Sequence, residues 1–228
     1  MKEAVILAGG HGWRLKPLVY VQKPLIYIKK DETLLSRQIK WLLQCGFDRV
    51  HVSIGELTPE EIEQHMINGK VCIHQNQVGT KKPGTGGGLY RTFEYVKSPM
   101  VYVFNIDDIL FHNPIEIQRT SIHVSKIVIT FPPSPWGVVD YNNSGMVVDF
   151  VEKPMLPFTV SVGHYWFHRS DIESYCPDEG DLEMGMLPKM VADHRLGTHL
   201  YRGTWLTVNT YKDLMNVRKY FYKNALYI

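Results

Sequence analysis

The stretch AVILAGGHGWRLKPL, residues 4–18, decides the fold. Ala4, Val5, Ile6, Leu7 and Ala8 run without interruption into Gly9, Gly10 and Gly12, and Arg14 follows. A continuous apolar run of this length reads as a strand buried on both faces, as in a parallel sheet. Glycines directly after such a strand let backbone N–H groups approach an anion, and an arginine adds a forked cation. The stretch therefore reads as a phosphate loop. A tight strand-to-helix turn with a solvent-exposed arginine is the alternative that this pattern alone leaves open. A dinucleotide fingerprint needs G-x-G-x-x-G opening a helix, and a P-loop ends in G-K-[ST]; neither is present.

Working outward, apolar runs of strand length recur as RVHVSIG, VCIHQ, MVYVFNI and KIVITF. Helical patterns lie between them. Thr33 is the expected cap of LLSRQIKWLLQCGF, with Leu35, Ile39, Leu42 and Leu43 on one face and Gly46 at the end. LTPEEIEQHM reads as a helix start, with Thr58 as cap, Pro59 first and Glu61 closing a capping box. After residue 135 the pattern changes. WGVVDY and MVVDFVEKP flank Asn142–Gly145 as a β-hairpin, and TVSVGHYWFH is a further strand. LEMGMLPKMV and YKDLMNVRKYFYKN read as helices. The expectation is an α/β fold, a Rossmann-like doubly wound and mostly parallel sheet with an added antiparallel lobe. We expect a single domain over 1–228, with a nucleotide-binding half (1–134) and a second half (135–228).

Composition narrows the class. The chain has 228 residues, 44% of them apolar, and a formal net charge of +2. No Lys/Arg block points to nucleic acid or a membrane surface. Cys45, Cys72 and Cys176 are odd in number and widely spaced, unlike a disulfide framework or a zinc motif. No apolar run is long enough to span a bilayer, and a strand from residue 4 leaves no room for a signal peptide. The expected location is cytoplasmic. A homo-oligomer is compatible with the sequence.

The opening block resembles the signature of sugar-phosphate nucleotidylyltransferases, L-A-G-G-x-G-T-R-L-x-P-L followed by K-P. The matching residues are Leu7, Ala8, Gly9, Gly10, Gly12, Arg14, Leu15, Pro17, Leu18, Lys23 and Pro24, with Trp13 in place of the usual Thr. Further segments match in order. PGTGGGLY resembles the family's G-T-[AG]-G base-pocket segment. VYVFNIDDIL resembles the strand ending in N-G-D, with Ile106 replacing Gly. VVDFVEKP resembles V-x-x-F-x-E-K-P, GHYWF the next strand, and DLEMGMLPKMV the S-[IL]-E-x-x-[IVL]-x-P segment. In the family's W-x-D-I-G-T-P, Thr207 of WLTVNT takes the place of a metal-binding Asp.

The resemblance implies a GT-A-like nucleotidyltransferase fold and a reaction in which a sugar-1-phosphate oxygen attacks the α-phosphorus of an NTP, releasing pyrophosphate. Such a transfer needs two anions brought together and a charged transition state neutralised. It implies catalytic roles for Arg14, Lys23 and Asp107, with Asp107 also binding Mg²⁺. It implies nucleotide contacts from Leu7, Ala8, Gly9, Gly10, Gly12, Gln75, Gly84, Thr85 and Asn105. Gly137, Glu152, Lys153, Gly163 and Glu183 would take the sugar phosphate. GTP is favoured, because Gly86 and Gly87 resemble guanylyl-type members and their small size would leave room for a purine.

Each residue also has a plainer reading. Lys153 could be a solvated strand-end lysine. Asp107 and Asp108 could close a turn. Glu183 could serve only a helix dipole. His11 has no ligand partner at metal spacing. Trp13, Ile106 and Thr207 keep a second function open, a catalytically impaired nucleotide-sugar-binding regulatory protein. An enzyme acting on a non-sugar phosphate such as phosphocholine is a third.

Overall fold

The computed structural model describes residues 1–10, 12–57, 62, 69–76, 83–119 and 125–224. Thr58, Pro59 and Glu61, expected to cap a helix, and His11 lie outside them. The opening apolar run forms β1 (Glu3–Ala8), every residue of it buried. A single 3-10 turn, Trp13–Leu15, follows. A small antiparallel pair, β2 (Tyr27–Lys29) and β3 (Glu32–Thr33), leads into α1 (Leu34–Gln44). Thr33 caps α1 as expected: its hydroxyl accepts from the Ser36 N–H, and the Ser36 hydroxyl accepts in return from the Thr33 N–H. Gly46 follows in the left-handed region (φ 88°).

The remaining runs become β4 (Arg49–Ile54), β5 (Val71–Gln75), β6 (Met100–Asn105), the two-residue β7 (Asp108–Ile109) and β8 (Ser125–Thr130). Helix α2 (Gly84–Phe93) lies between β5 and β6, and α3 (Pro114–Arg119) precedes β8. The hairpin is β9 (Val138–Tyr141) and β10 (Val147–Val151). Then come β11 (Val160–His168), α4 (Arg169–Tyr175), α5 (Met186–Ala192), β12 (Leu196–Leu200), β13 (Leu206–Thr207) and α6 (Tyr211–Asn224). The last helix matches its sequence reading in full. The LEMGMLPKMV helix starts later than read, at Met186. The residues before it form a turn in which Asp181 O accepts from the Gly185 N–H at 2.9 Å.

Seven strands make one sheet in the order β12-β8-β11-β6-β1-β4-β5. All are parallel except β11, which runs antiparallel to both β6 and β8. Both faces are covered, which is why the runs are continuous rather than alternating. On one face Ala4 and Ile6 of β1 pack with Leu35 and Ile39 of α1 and with Leu214 and Val217 of α6. On the other, Val5 and Leu7 pack with Leu89 and Phe93 of α2 and with Met186 and Met190 of α5. Among the described residues no helix is long and apolar enough to cross a membrane.

Candidate active site

Parallel strands end on the same side, so the loops that follow them converge there. Beyond the C-terminal ends of β1, β4 and β6 lies a cavity of about 340 Å³. Leu7, Gly9 and Gly10 line it from the end of β1 and the loop beyond, Ser53 to Gly55 from the end of β4, Asn76 from just after β5, and Asn105 to Asp107 from the end of β6. Pro83, Gly84, Thr85 and Gly88 form the wall supplied by α2, with Lys23 and Asp181 completing the lining.

Eight of the residues singled out from the sequence thus meet in one cavity: Leu7, Gly9, Gly10, Lys23, Gly84, Thr85, Asn105 and Asp107. Ala8 is buried inside β1, and Gly12 backs on to the Lys23 side chain. Gln75 is exposed at the end of β5 and stands outside the lining, where its neighbour Asn76 takes the position. Arg14 is exposed on the 3-10 turn. Trp13 points outward with 64% of its surface exposed, and the Lys16 ammonium lies 4.2 Å from its ring centre. Gly137, Glu152 and Lys153 lie on or beside the β9–β10 hairpin. There Lys153 Nζ sits 3.2 Å from Glu152 Oε1, both groups exposed.

The charged centre is built around Lys23. Its ammonium is nearly buried and donates to Asp107 Oδ2 at 2.8 Å and to Asn209 Oδ1 at 3.5 Å. Asn209 in turn donates to the Thr207 hydroxyl at 2.7 Å. Thr207 lies opposite Asp108 in the β7–β13 ladder, and Trp205 Nε1 donates to Asp108 Oδ1 at 2.9 Å. Burial, and then the charge of Asp107, push the Asp108 carboxyl up to about 8. Two adjacent acids therefore do different work: Asp107 faces the cavity, and Asp108 is held beneath it.

Gly163 explains how Asp108 stays covered. Its φ of 67° suits glycine, and a Cβ there would collide with the Asp108 carboxylate and come within 2.7 Å of Asn105 Nδ2. The Oδ1 of Asn105 is buried and has no hydrogen-bond partner among the described residues. Also among the described residues, no group of three or more His, Cys, Asp and Glu is arranged to hold a metal.

The glycine run of α2 corrects one expectation. Gly86 and Gly87 do not leave room for a base. The loop 177–181 fills the space beside them: a Cβ on Gly86 would come within 2.6 Å of Pro177, and one on Gly87 within 2.6 Å of the Asp178 carbonyl. The loop also caps the helix. Gly180 O accepts from the N–H groups of Gly86 (2.9 Å) and Gly87 (3.3 Å), and Asp181 Oδ1 accepts from the Thr85 N–H at 3.0 Å. Thr85 Oγ1 donates to Glu183 Oε2 at 3.1 Å, so Glu183 lies at this wall rather than in a helical turn. Asn76, Asp108, Asp181 and Asn209 were not weighted from the sequence. Only the doubled acid of NIDD and the Asn of WLTVNT offered a local signal.

Residues 3–224 match the family model described as Nucleotidyl transferase. The chain belongs to that family. Among curated relatives of this nucleotidyl transferase, a mannose-1-phosphate guanylyltransferase catalytic subunit beta of Dictyostelium discoideum is 26% identical over 94% of the chain and 63% of the relative. A bifunctional sugar-1-phosphate nucleotidylyltransferase/acetyltransferase of Sulfurisphaera tokodaii is 23% identical over 99% of the chain and 57% of the relative. The chain thus spans about three-fifths of the length of these relatives. The crystal structure of HddC from Yersinia pseudotuberculosis shares the fold, with a TM-score of 0.75 and 23% identity over 97% of this chain and all of that one. The same protein complexed with GMP-PN gives 0.74 at 22% identity over 97% of this chain and all of that one.

Proposed function

We propose that the chain joins an NTP to a sugar-1-phosphate, giving an NDP-sugar and pyrophosphate, with Mg²⁺ and with GTP favoured. The observation that carries this is the buried Lys23–Asp107 pair at the mouth of a glycine-walled cavity beyond the strand ends. A cation and a carboxylate side by side suit a phosphate chain and its divalent counterion. Lys23 would hold the α-phosphate and offset charge as the sugar-phosphate oxygen attacks. The backbone of Gly9 and Gly10 would approach the triphosphate, and Arg14, one turn on, would meet the departing pyrophosphate. Asn76, Gly84, Thr85 and Gly88 would bound the base. On the acceptor side Lys153 would hold the sugar phosphate and Glu152 its hydroxyls, with Gly137, Gly163 and Glu183 framing that half.

The donor set fits Mg²⁺. Asp107 brings hard oxygens to the cavity, Asn105 stands beside it in the lining with its buried carbonyl oxygen unpartnered among the described residues, and a single carboxylate suffices when substrate phosphates supply further ligands. When bound, the ion would lower the charge on the phosphates as the bond to the leaving group lengthens. With Gly86 and Gly87 removed from the argument, the preference for GTP rests on the likeness to guanylyltransferases and to the protein solved with GMP-PN.

The test is pyrophosphate release across a panel of NTPs with sugar-1-phosphates and phosphocholine. GTP with one sugar-1-phosphate should turn over fastest. No release with any pair, alongside intact nucleotide binding, would make the chain a binding protein. Release with phosphocholine alone would change the acceptor class.

A further inference from the structure

A second cavity, of about 670 Å³, lies between β2 and α6. Its size falls in the range of roughly 300–1,000 Å³ that small-molecule ligands occupy. Lys29 and Lys30 supply one wall, Arg218 and Lys219 the other, and no acidic residue lines it among those described. Four cationic side chains gathered this way repel one another unless a counter-charge arrives. The protein answers these charges poorly. Arg218 Nε and Nη2 donate to the Tyr27 carbonyl at 3.1 and 3.0 Å, a neutral acceptor. Lys29 Nζ lies 3.3 Å from the Glu32 carboxylate, but Lys40 Nζ shares that group at 3.3 Å. Lys30 and Lys219 are exposed, and neither has an ion-pair partner among the described residues. Asp31 and Asp213 stand outside the lining, and Asp213 is engaged by Thr210. The walls also carry flat apolar surface. Tyr27, Met215 and Tyr222 line the cavity and are 53%, 45% and 63% exposed. Met215, Lys219 and Tyr222 recur at i, i+4 and i+7 on α6 and so share one face. The Arg218 fork ties that helix to β2, so the groove is already formed.

We infer that this groove is a second anion site, which takes the phosphate chain of a small molecule between Lys29–Lys30 and Arg218–Lys219. Ammonium and guanidinium groups are the donors that such a chain needs, and Arg218 keeps further N–H groups beyond those given to Tyr27. Tyr27 and Tyr222 offer ring faces to whatever the phosphates carry. A nucleoside diphosphate and a bare polyphosphate share this chemistry. The site is separate from the cavity at the strand ends: no residue belongs to both linings. It therefore does not depend on the reaction proposed for that cavity. Its walls nevertheless continue from the charged centre there. Lys23 precedes β2 and Asn209 precedes α6, and the two meet at that centre. A ligand that draws β2 and α6 together thus bears on the segments that carry Lys23 and Asn209.

Calorimetric titration of the full chain with inorganic tripolyphosphate, at physiological ionic strength and without nucleotide, counts the ligands held per protein. Exposed charges alone are screened under these conditions, so a built site is what remains. Lys30→Glu with Lys219→Glu should weaken one bound tripolyphosphate by about tenfold or more for each charge reversed. Lys30→Ala with Lys219→Ala should act in the same direction and less. Both pairs are exposed, so far-ultraviolet circular dichroism should not change. Lys23→Ala should leave this ligand in place, which separates it from anything bound at the strand ends. GDP then distinguishes the two sources. Tighter binding than tripolyphosphate, weakened by Tyr27→Ser with Tyr222→Ser, supports a nucleotide; equal binding, indifferent to the tyrosines, supports a bare phosphate chain. Binding that is lost at physiological salt, that disappears entirely in Lys23→Ala, or that is equal in wild type and both lysine double variants would each overturn the inference.

Discussion

Lys23 holds the site together through a contact that its own neighbourhood does not reveal. Its ion pair with Asp107 is nearly buried, so removing the ammonium costs charge neutralisation and leaves a carboxylate without its partner. Lys23→Ala should lower kcat/KM by about 10²–10³, or about 3–4 kcal/mol. Arg14→Ala, at an exposed position, should cost less in the same pyrophosphate assay; an equal or larger loss would move the main phosphate contact to the 3-10 turn. Lys23 and Asp107 were legible because each sits in a short local motif. Asn209 and Asp108 were not. Asn209 matters through Lys23, from the far end of the chain, and Asp108 through Trp205 and Gly163. No periodicity or spacing records such approaches.

At the scale of elements, the junction of α2 with the loop 177–181 is the most demanding contact at the site. Gly84 has φ 73°, and a Cβ there would collide with the Gly180 carbonyl, whose oxygen caps the helix. Gly145, at the hairpin tip, has φ 80° with nothing near its Cβ position. Both pay the left-handed strain on substitution, but only Gly84 adds a collision. Gly84→Ala should therefore destabilise by roughly 2–4 kcal/mol and Gly145→Ala by about 1–2 kcal/mol. Thermal melts of the pair read the difference; equal shifts would mean the loop simply moves aside. The strands could be read because burial on both faces leaves a continuous apolar run. The α2 glycines were misread because GTGGG declares small residues without saying what fills the space. A base and a loop make the same demand on composition.

For the whole molecule, buried titratable groups set a stability maximum. Burial lowers the pKa of His74 and His112 to about 4, and lowers those of His51, His164 and His199 as well. A histidine whose folded pKa lies below its unfolded value takes up protons more readily when unfolded, so stability falls as pH drops from about 6.5 toward 4. Asp108 acts oppositely. With its folded pKa near 8, its contribution is lost as pH rises from about 4 to 8. The five histidines act in one direction below pH 6.5, and Asp108 acts in the other up to about pH 8. Denaturant titrations should peak between about pH 6 and 7, and Asp108→Asn should flatten the alkaline limb. Stability rising steadily to pH 8 would contradict the burial of Asp108. The strand content of the sheet was legible, but strand order was not, because nothing periodic marks where β11 inserts. That insertion bears on synthesis. Among the described residues β8 pairs with β11 and β12, both made after it, and β11 is also the strand that covers the open edge of β6. As the chain leaves the ribosome, β6 can pair with β1 on one edge but keeps its other edge open, and β8 emerges with neither of its partners made. The sheet cannot close until His168 has been added, so a polypeptide interrupted at residue 134 would carry a sticky, unfinished edge.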